Sequence, residues 1–203
     1  MKRLLTTSFV IMLVICTNAQ VKFGIKGGVN FAKQKWSASG ATISFDSKVG
    51  FMAGVILESP FSESLFFQSG VLFSQKGMKM SASATGATSD IDMTLNYLDV
   101  PLNIIYKANA GNVKILLSAG PVLSYGMSGK GTANGQSGDI KFGSDADFKS
   151  MDIGLGIGGG VEVSNFQIGL NYTLGLSNVS TMSGITMKNN VFTISAAILF
   201  GGK

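Results

Sequence analysis

Residues 166–177 read FQIGLNYTLGLS, a bulky apolar residue alternating with a small or polar one over twelve positions. Phe166, Ile168, Leu170, Tyr172, Leu174 and Leu176 fall on one side; Gln167, Gly169, Asn171, Thr173, Gly175 and Ser177 fall on the other. Successive side chains of a β-strand point to opposite faces, so the stretch is a strand with one greasy and one polar surface. Soluble strands commonly stop after about five or six residues, whereas a tilted strand needs roughly 9–11 to cross a bilayer. This one has the longer measure.

The same alternation recurs and predicts eight strands, at 21–31, 48–58, 65–76, 94–106, 113–125, 150–163, 166–177 and 190–200. The connections 59–64, 107–112 and 164–165 are short, while 32–47, 77–93, 126–149 and 178–189 are long and rich in Gly, Ser, Thr, Ala and Asn. Strict alternation of short and long connections is the habit of bacterial outer-membrane barrels, with short turns in the periplasm and long loops outside. Eleven residues rising about 3.3 Å each and tilted about 40° span roughly 28 Å, close to the ~25 Å apolar band of such barrels. In lipid no unpaired backbone group can be hydrated, so the last strand must close on the first. The expected fold is all-β, an eight-stranded antiparallel up-and-down transmembrane β-barrel.

Composition agrees. Charged residues are 13% of the 203, against about 25% in a soluble domain, while apolar residues reach 45%. Beyond residue 19 no apolar run approaches the roughly 20 residues of a membrane-spanning helix. A very apolar soluble β-protein, such as a lipocalin-like barrel, is the alternative, but it needs a greasy interior and a polar exterior. Here Val21, Phe23, Ile25, Val29 and Phe31 oppose Lys22, Gly24, Lys26, Gly28 and Asn30 on the first strand. On the sixth, Ile153, Leu155, Ile157, Val161 and Val163 oppose Asp152, Gly154, Gly156, Gly158, Gly160 and Glu162. The charges share a face with glycine, which places them in a narrow lumen that side chains fill. Pro101 and Pro121 interrupt strands that have no free edge, and we expect a local bulge at each.

Residues 1–19 read as a cleaved secretory signal peptide and 20–203 as the barrel domain: Lys2 and Arg3 precede an apolar core at 9–15, and Thr17-Asn18-Ala19 precedes the cut. Cleavage removes the single cysteine, Cys16, and with it disulfide chemistry. It also removes Lys2 and Arg3, leaving fourteen lysines against eleven acids, about +3, with no basic run to engage nucleic acid.

The lumen charges form the expected network: Lys22, Lys26, Glu58, Asp99, Lys114, Asp152 and Glu162. Lys114 and Glu162 lie near the periplasmic rim on adjacent strands, Lys22 and Glu58 likewise, and Lys26 and Asp99 fall near mid-height, where we expect them to meet across the lumen. Buried charges must be paired, and pairing alone serves structure; eight strands leave little room for a pore. The chain has no histidine, hence neither the commonest general base nor the commonest metal ligand, and we expect no enzyme, no metal and no cofactor. Asp90/Asp92 and Asp145/Asp147 lack the dense oxygen spacing of a calcium loop. The glycines of 154–160 sit in an alternating strand, not in the strand-to-helix turn of a nucleotide motif. Tyr97, Tyr106, Tyr125, Tyr172, Phe61, Phe66, Phe67, Phe73 and Phe200 lie toward strand ends, where an interfacial aromatic belt is expected. Trp36, in the first loop, is placed to touch the outer interface or a partner.

The segments FGIKGGVNFA (23–32), GFMAGVILESPFSESLFFQSGVLFSQKG (50–77), NYLDVPLNIIY (96–106), SAGPVLSYG (118–126) and GLGIGGGVEVSNFQIGLNYTLGL (154–176) resemble the PorT-like outer-membrane β-barrel family of Bacteroidetes-type Gram-negative bacteria. The resemblance runs through 20–203 and implies an eight-stranded outer-membrane barrel with no catalytic motif. One member of that family is implicated in type IX protein secretion, and most have no assigned role. The terminal strand departs from the usual assembly signal, which places an aromatic last: Phe200 is followed by Gly201-Gly202-Lys203. We expect a small outer-membrane barrel presenting four external loops in a structural or interaction role. An accessory part in a secretion apparatus, or a narrow channel or ligand-binding barrel, is the alternative. Expected partners are outer-membrane lipid and lipopolysaccharide, the barrel-assembly machinery, and envelope or secretion proteins.

Overall fold

A computed structural model describes residues 21–38, 40–84, 87–143 and 146–202; the expected signal peptide and Asp145 lie outside the described residues. The strands are β1 (Lys22–Ala38), β2 (Ala41–Ser44), β3 (Lys48–Pro60), β4 (Leu65–Ala84), β5 (Ala87–Ala110), β6 (Val113–Ala133), β7 (Gln136–Ile140), β8 (Met151–Val163), β9 (Phe166–Gly175) and β10 (Ile185–Gly201). Eight of them, all but β2 and β7, pair antiparallel in sequence order around a ring. β1 and β10 close it in unbroken register, from Lys22 opposite Gly201 to Ala38 opposite Ile185. Short turns with a positive φ at their first residue, Gly111 (66°) and Ser164 (55°), join β5 to β6 and β8 to β9, the sense that suits strand twist.

The two faces of the ring are those of the alternation. Phe23, Ile25, Phe51, Ile115, Ile157, Ile168, Leu170 and Ile194 are all more than two-fifths exposed on the outside. Asn30, Glu58, Gln68, Lys107, Asp152, Glu162, Thr193 and Ser195 are buried inside. An apolar surface that circles the molecule is far beyond what a soluble monomer exposes, and lipid is the solvent that suits it. The interior is not uniformly polar: Met52, Ile56, Leu72, Ala197 and Leu199 form a small apolar cluster within it.

Two expectations change. The long connections are not simple loops: β1, β4, β5, β6 and β10 run on past the apolar belt, and β2 and β7 add short strands to β1 and β6. Outside the bilayer neither face need be greasy, so the ladder continues where alternation stops. The prolines also insert no extra residue. Around Pro101 the β4–β5 pairing skips from Ser69 opposite Leu102 to Leu72 opposite Asp99, and the register resumes unchanged. The β5–β6 ladder likewise skips from Pro101 opposite Val122 to Ile104 opposite Ala119, beside Pro121. A missing N–H deletes a rung without shifting the ladder. The true bulge lies higher, where Asn96 faces Ser128 but Tyr97 faces Gly126, leaving Met127 as the extra residue of β6.

Candidate functional site

The lumen is stacked in layers, each built from inward positions of several strands. At the short-turn end, Lys107 of β5 reaches both Glu58 of β3 and Glu162 of β8, at 2.5 Å each. Gln167 Nε2 donates to Glu58 Oε2 (3.0 Å) and Glu162 Oε2 (2.8 Å), and Gln68 Nε2 donates to Glu58 Oε2 (3.0 Å). The Lys107 ammonium also lies 4.3 Å above the Phe66 ring. Lys114, half-exposed at the rim, stands 3.4 Å from Glu162 Oε1. Two carboxylates side by side would repel; the lysine between them and the amide donors around them make the arrangement tenable.

The upper layer centres on Lys76 of β4. Its ammonium is 3.1 Å from Asp99 Oδ1 and 3.8 Å from Asp152 Oδ2, donates to Ser124 Oγ (2.7 Å) and lies 4.5 Å over the Tyr97 ring. Asp152 accepts from Ser177 Oγ (2.8 Å) and Asn189 Nδ2 (2.9 Å), and Asn189 Oδ1 accepts from Gln34 Nε2 (2.9 Å). Above this, Leu95, Tyr97, Phe148, Val179 and Met187 form an apolar cap, with Trp36, Ile140 and Phe142 packed against it. Backbone bonds stitch the cap across loops: Lys149 N–H donates to Val179 O and Val179 N–H to Met187 O, both at 2.9 Å. Phe142 lies so close over Gly126 that a Cβ there would overlap its ring.

Five of the expected network residues, Glu58, Asp99, Lys114, Asp152 and Glu162, sit in these layers. Lys26 and Asp99 do not meet. Asp99 is held instead by Lys76 from the neighbouring strand, a shorter reach than the one across the lumen. Lys22 faces Glu58 in register but makes no ion pair among the described residues, because Glu58 turns inward to Lys107. Lys76 and Lys107, the two central cations, are absent from the expected set. Lys76 is the last residue of the third predicted strand, and Lys107 falls one past the end of the fourth. Extending the inward parity of Asp99, Asn103 and Ile105 by one step finds Lys107. Tyr97 belongs to the cap and not to an interfacial belt, and Trp36 packs edge-on against Phe45 at 4.9 Å. In the external region Asp92 is paired with Lys48 and lies 3.6 Å from Lys79, and Asp147 Oδ2 accepts from the Lys141 N–H at 2.8 Å.

Residues 18–181 match the outer membrane protein beta-barrel domain. This chain belongs to that family. Family and closed ring together make it an integral protein of the cell outer membrane, its short turns toward the periplasm. Ail, the attachment invasion locus protein of Yersinia pestis, is 17% identical, over 89% of this chain and 99% of that one, at a TM-score of 0.44. Neisserial surface protein A is 18% identical over 88% and 97%, at 0.49. A major outer membrane protein from Thermus thermophilus is 16% identical over 89% and 99%, at 0.46. A comparison with curated proteins finds no match.

Proposed function

We propose that this barrel works without catalysis, as a closed post that holds external hairpins above the outer membrane for contact with envelope components. The observation that supports this is the length of the β4–β5 hairpin. At 20 and 24 residues its strands are about twice the roughly 9–11 that a bilayer requires. At about 3.3 Å per residue and a tilt of about 40°, β5 rises roughly 60 Å, so the hairpin stands about 30 Å clear of the apolar band. The lumen beneath is crossed by two ion-paired layers and covered by the cap, which suits a plug better than a pore. The partners this reading requires are outer-membrane lipid and lipopolysaccharide around the belt, the barrel-assembly machinery during insertion, and envelope proteins at the hairpins.

The test is a chain lacking residues 80–91, expressed in a strain deleted for the gene. The shortened protein should reach the outer membrane, keep its boiling-dependent gel shift, and leave the strain with the same envelope defect as the full deletion. Full complementation by the shortened chain would overturn the display role. The PorT-like resemblance offers an accessory secretion role as the second reading; loss of secreted cargo in the deletion strain, restored by the full chain, separates it from the first.

A further inference from the structure

Between the two ion-paired layers the lumen opens into two small cavities, of about 40 and 70 Å³, which share Lys26, Asn103 and Asn171 as walls. The side chains of Lys26 and Asn103 make no hydrogen bond and no ion pair with any described residue. The nearby acids are committed: Glu58 and Glu162 to Lys107, Asp99 and Asp152 to Lys76. An ammonium inside a barrel needs a counter-charge or several polar partners.

We propose that the lower cavity is a binding site for a small inorganic anion of halide size, with Lys26 as its counter-charge. The lining supports the sign. The lower cavity is walled by Lys26, Gln68, Asn103, Ser118, Asn171 and Ser195 among others, and no carboxylate is among its described lining residues. Asp99 borders only the upper cavity, which sets the anion below. Lys26 brings three N–H donors and the Asn103 amide two, while Asn171, whose Oδ1 faces the Ser118 hydroxyl at 3.5 Å, keeps its N–H2 group for the cavity. The lining also sets the size. A water molecule needs roughly 10–15 Å³ of such space, so 40 Å³ takes one small ion with a water or two and no organic anion. The layers above and below limit exchange with bulk solvent, so loading accompanies folding.

The experiment is to refold the urea-unfolded chain into detergent with sodium bromide as the only salt, crystallise it, and collect data at the bromine absorption edge. A bromine anomalous peak within hydrogen-bond reach of Lys26 Nζ is expected, and its loss in Lys26→Met. Density at Lys26 without anomalous signal in the unmutated protein overturns the proposal, as does a peak that persists in the variant. If Lys26→Met fails to show the boiling-dependent gel shift, Asn103→Leu serves in its place, with a weakened peak expected and an undiminished one overturning the role of the cavity.

Discussion

Lys107 stands between two buried carboxylates, and its removal leaves Glu58 without a counter-ion and Glu162 with only the half-exposed Lys114. Breaking a buried pair by removing one partner commonly costs about 3–5 kcal/mol. Lys107→Met should therefore lower the unfolding free energy of the refolded barrel by roughly that amount, read from urea titration of Trp36 fluorescence. Adding Glu58→Gln and Glu162→Gln should recover most of the loss, because two neutral amides need no cation. An unchanged midpoint in the single variant would mean that Lys107 is dispensable. Gly77 is a separate case: φ is 146°, and a Cβ there would collide with the Met93 carbonyl oxygen. Gly77→Ala should destabilise by about 1–3 kcal/mol in the same titration. The sequence shows a lysine at each key position, but composition cannot say which lysine meets which acid. That choice depends on height in the barrel, which the pairing register sets.

The bulge at Met127 changes which residues of β6 face inward. Below it the even positions, such as Leu116, Val122 and Ser124, are buried; above it Gly129 is the inward partner of Leu95. Deleting Met127 would remove only the extra residue: Gly126, Ser128 and Gly129 would then alternate in, out and in, and Gly129 would stay opposite Leu95 in a regular ladder. The expected result is that the near-ultraviolet circular dichroism from the Tyr97–Phe142 contact and the gel shift on boiling are both retained. Loss of that signal would show that the cap depends on the bulge itself and not only on the register it joins. The transmembrane parts of the strands were legible because lipid forces one face to be apolar. Their continuations were not, because Gly, Ser and Thr in water keep strand geometry without a two-residue period. The prolines misled for a related reason: they remove a hydrogen bond, and removal alone does not require an inserted residue.

As a whole the molecule is a ring whose stability rests on closure, its outer wall solvated by lipid and its bore filled by charge pairs, amides and a small apolar cluster. The folded barrel should migrate faster than the boiled chain on SDS gels and fractionate with the outer membrane; identical migration and a soluble location would contradict the ring. Planar bilayers containing the purified protein should show no steady conductance, since two ion-paired layers and the cap lie across the path; a large one would contradict the plug. The sequence by itself determined the eight crossings, the lipid face and the inward glycines, because each follows from a two-residue period enforced by the solvent on either side of one strand. Only the tertiary structure decided that Lys76 takes Asp99, that Lys107 bridges Glu58 and Glu162, that the Lys26 side chain has no partner among the described residues, and that the external segments fold into a shared cap. Those contacts join residues far apart in the chain, and their geometry exists only after the ring has closed in register.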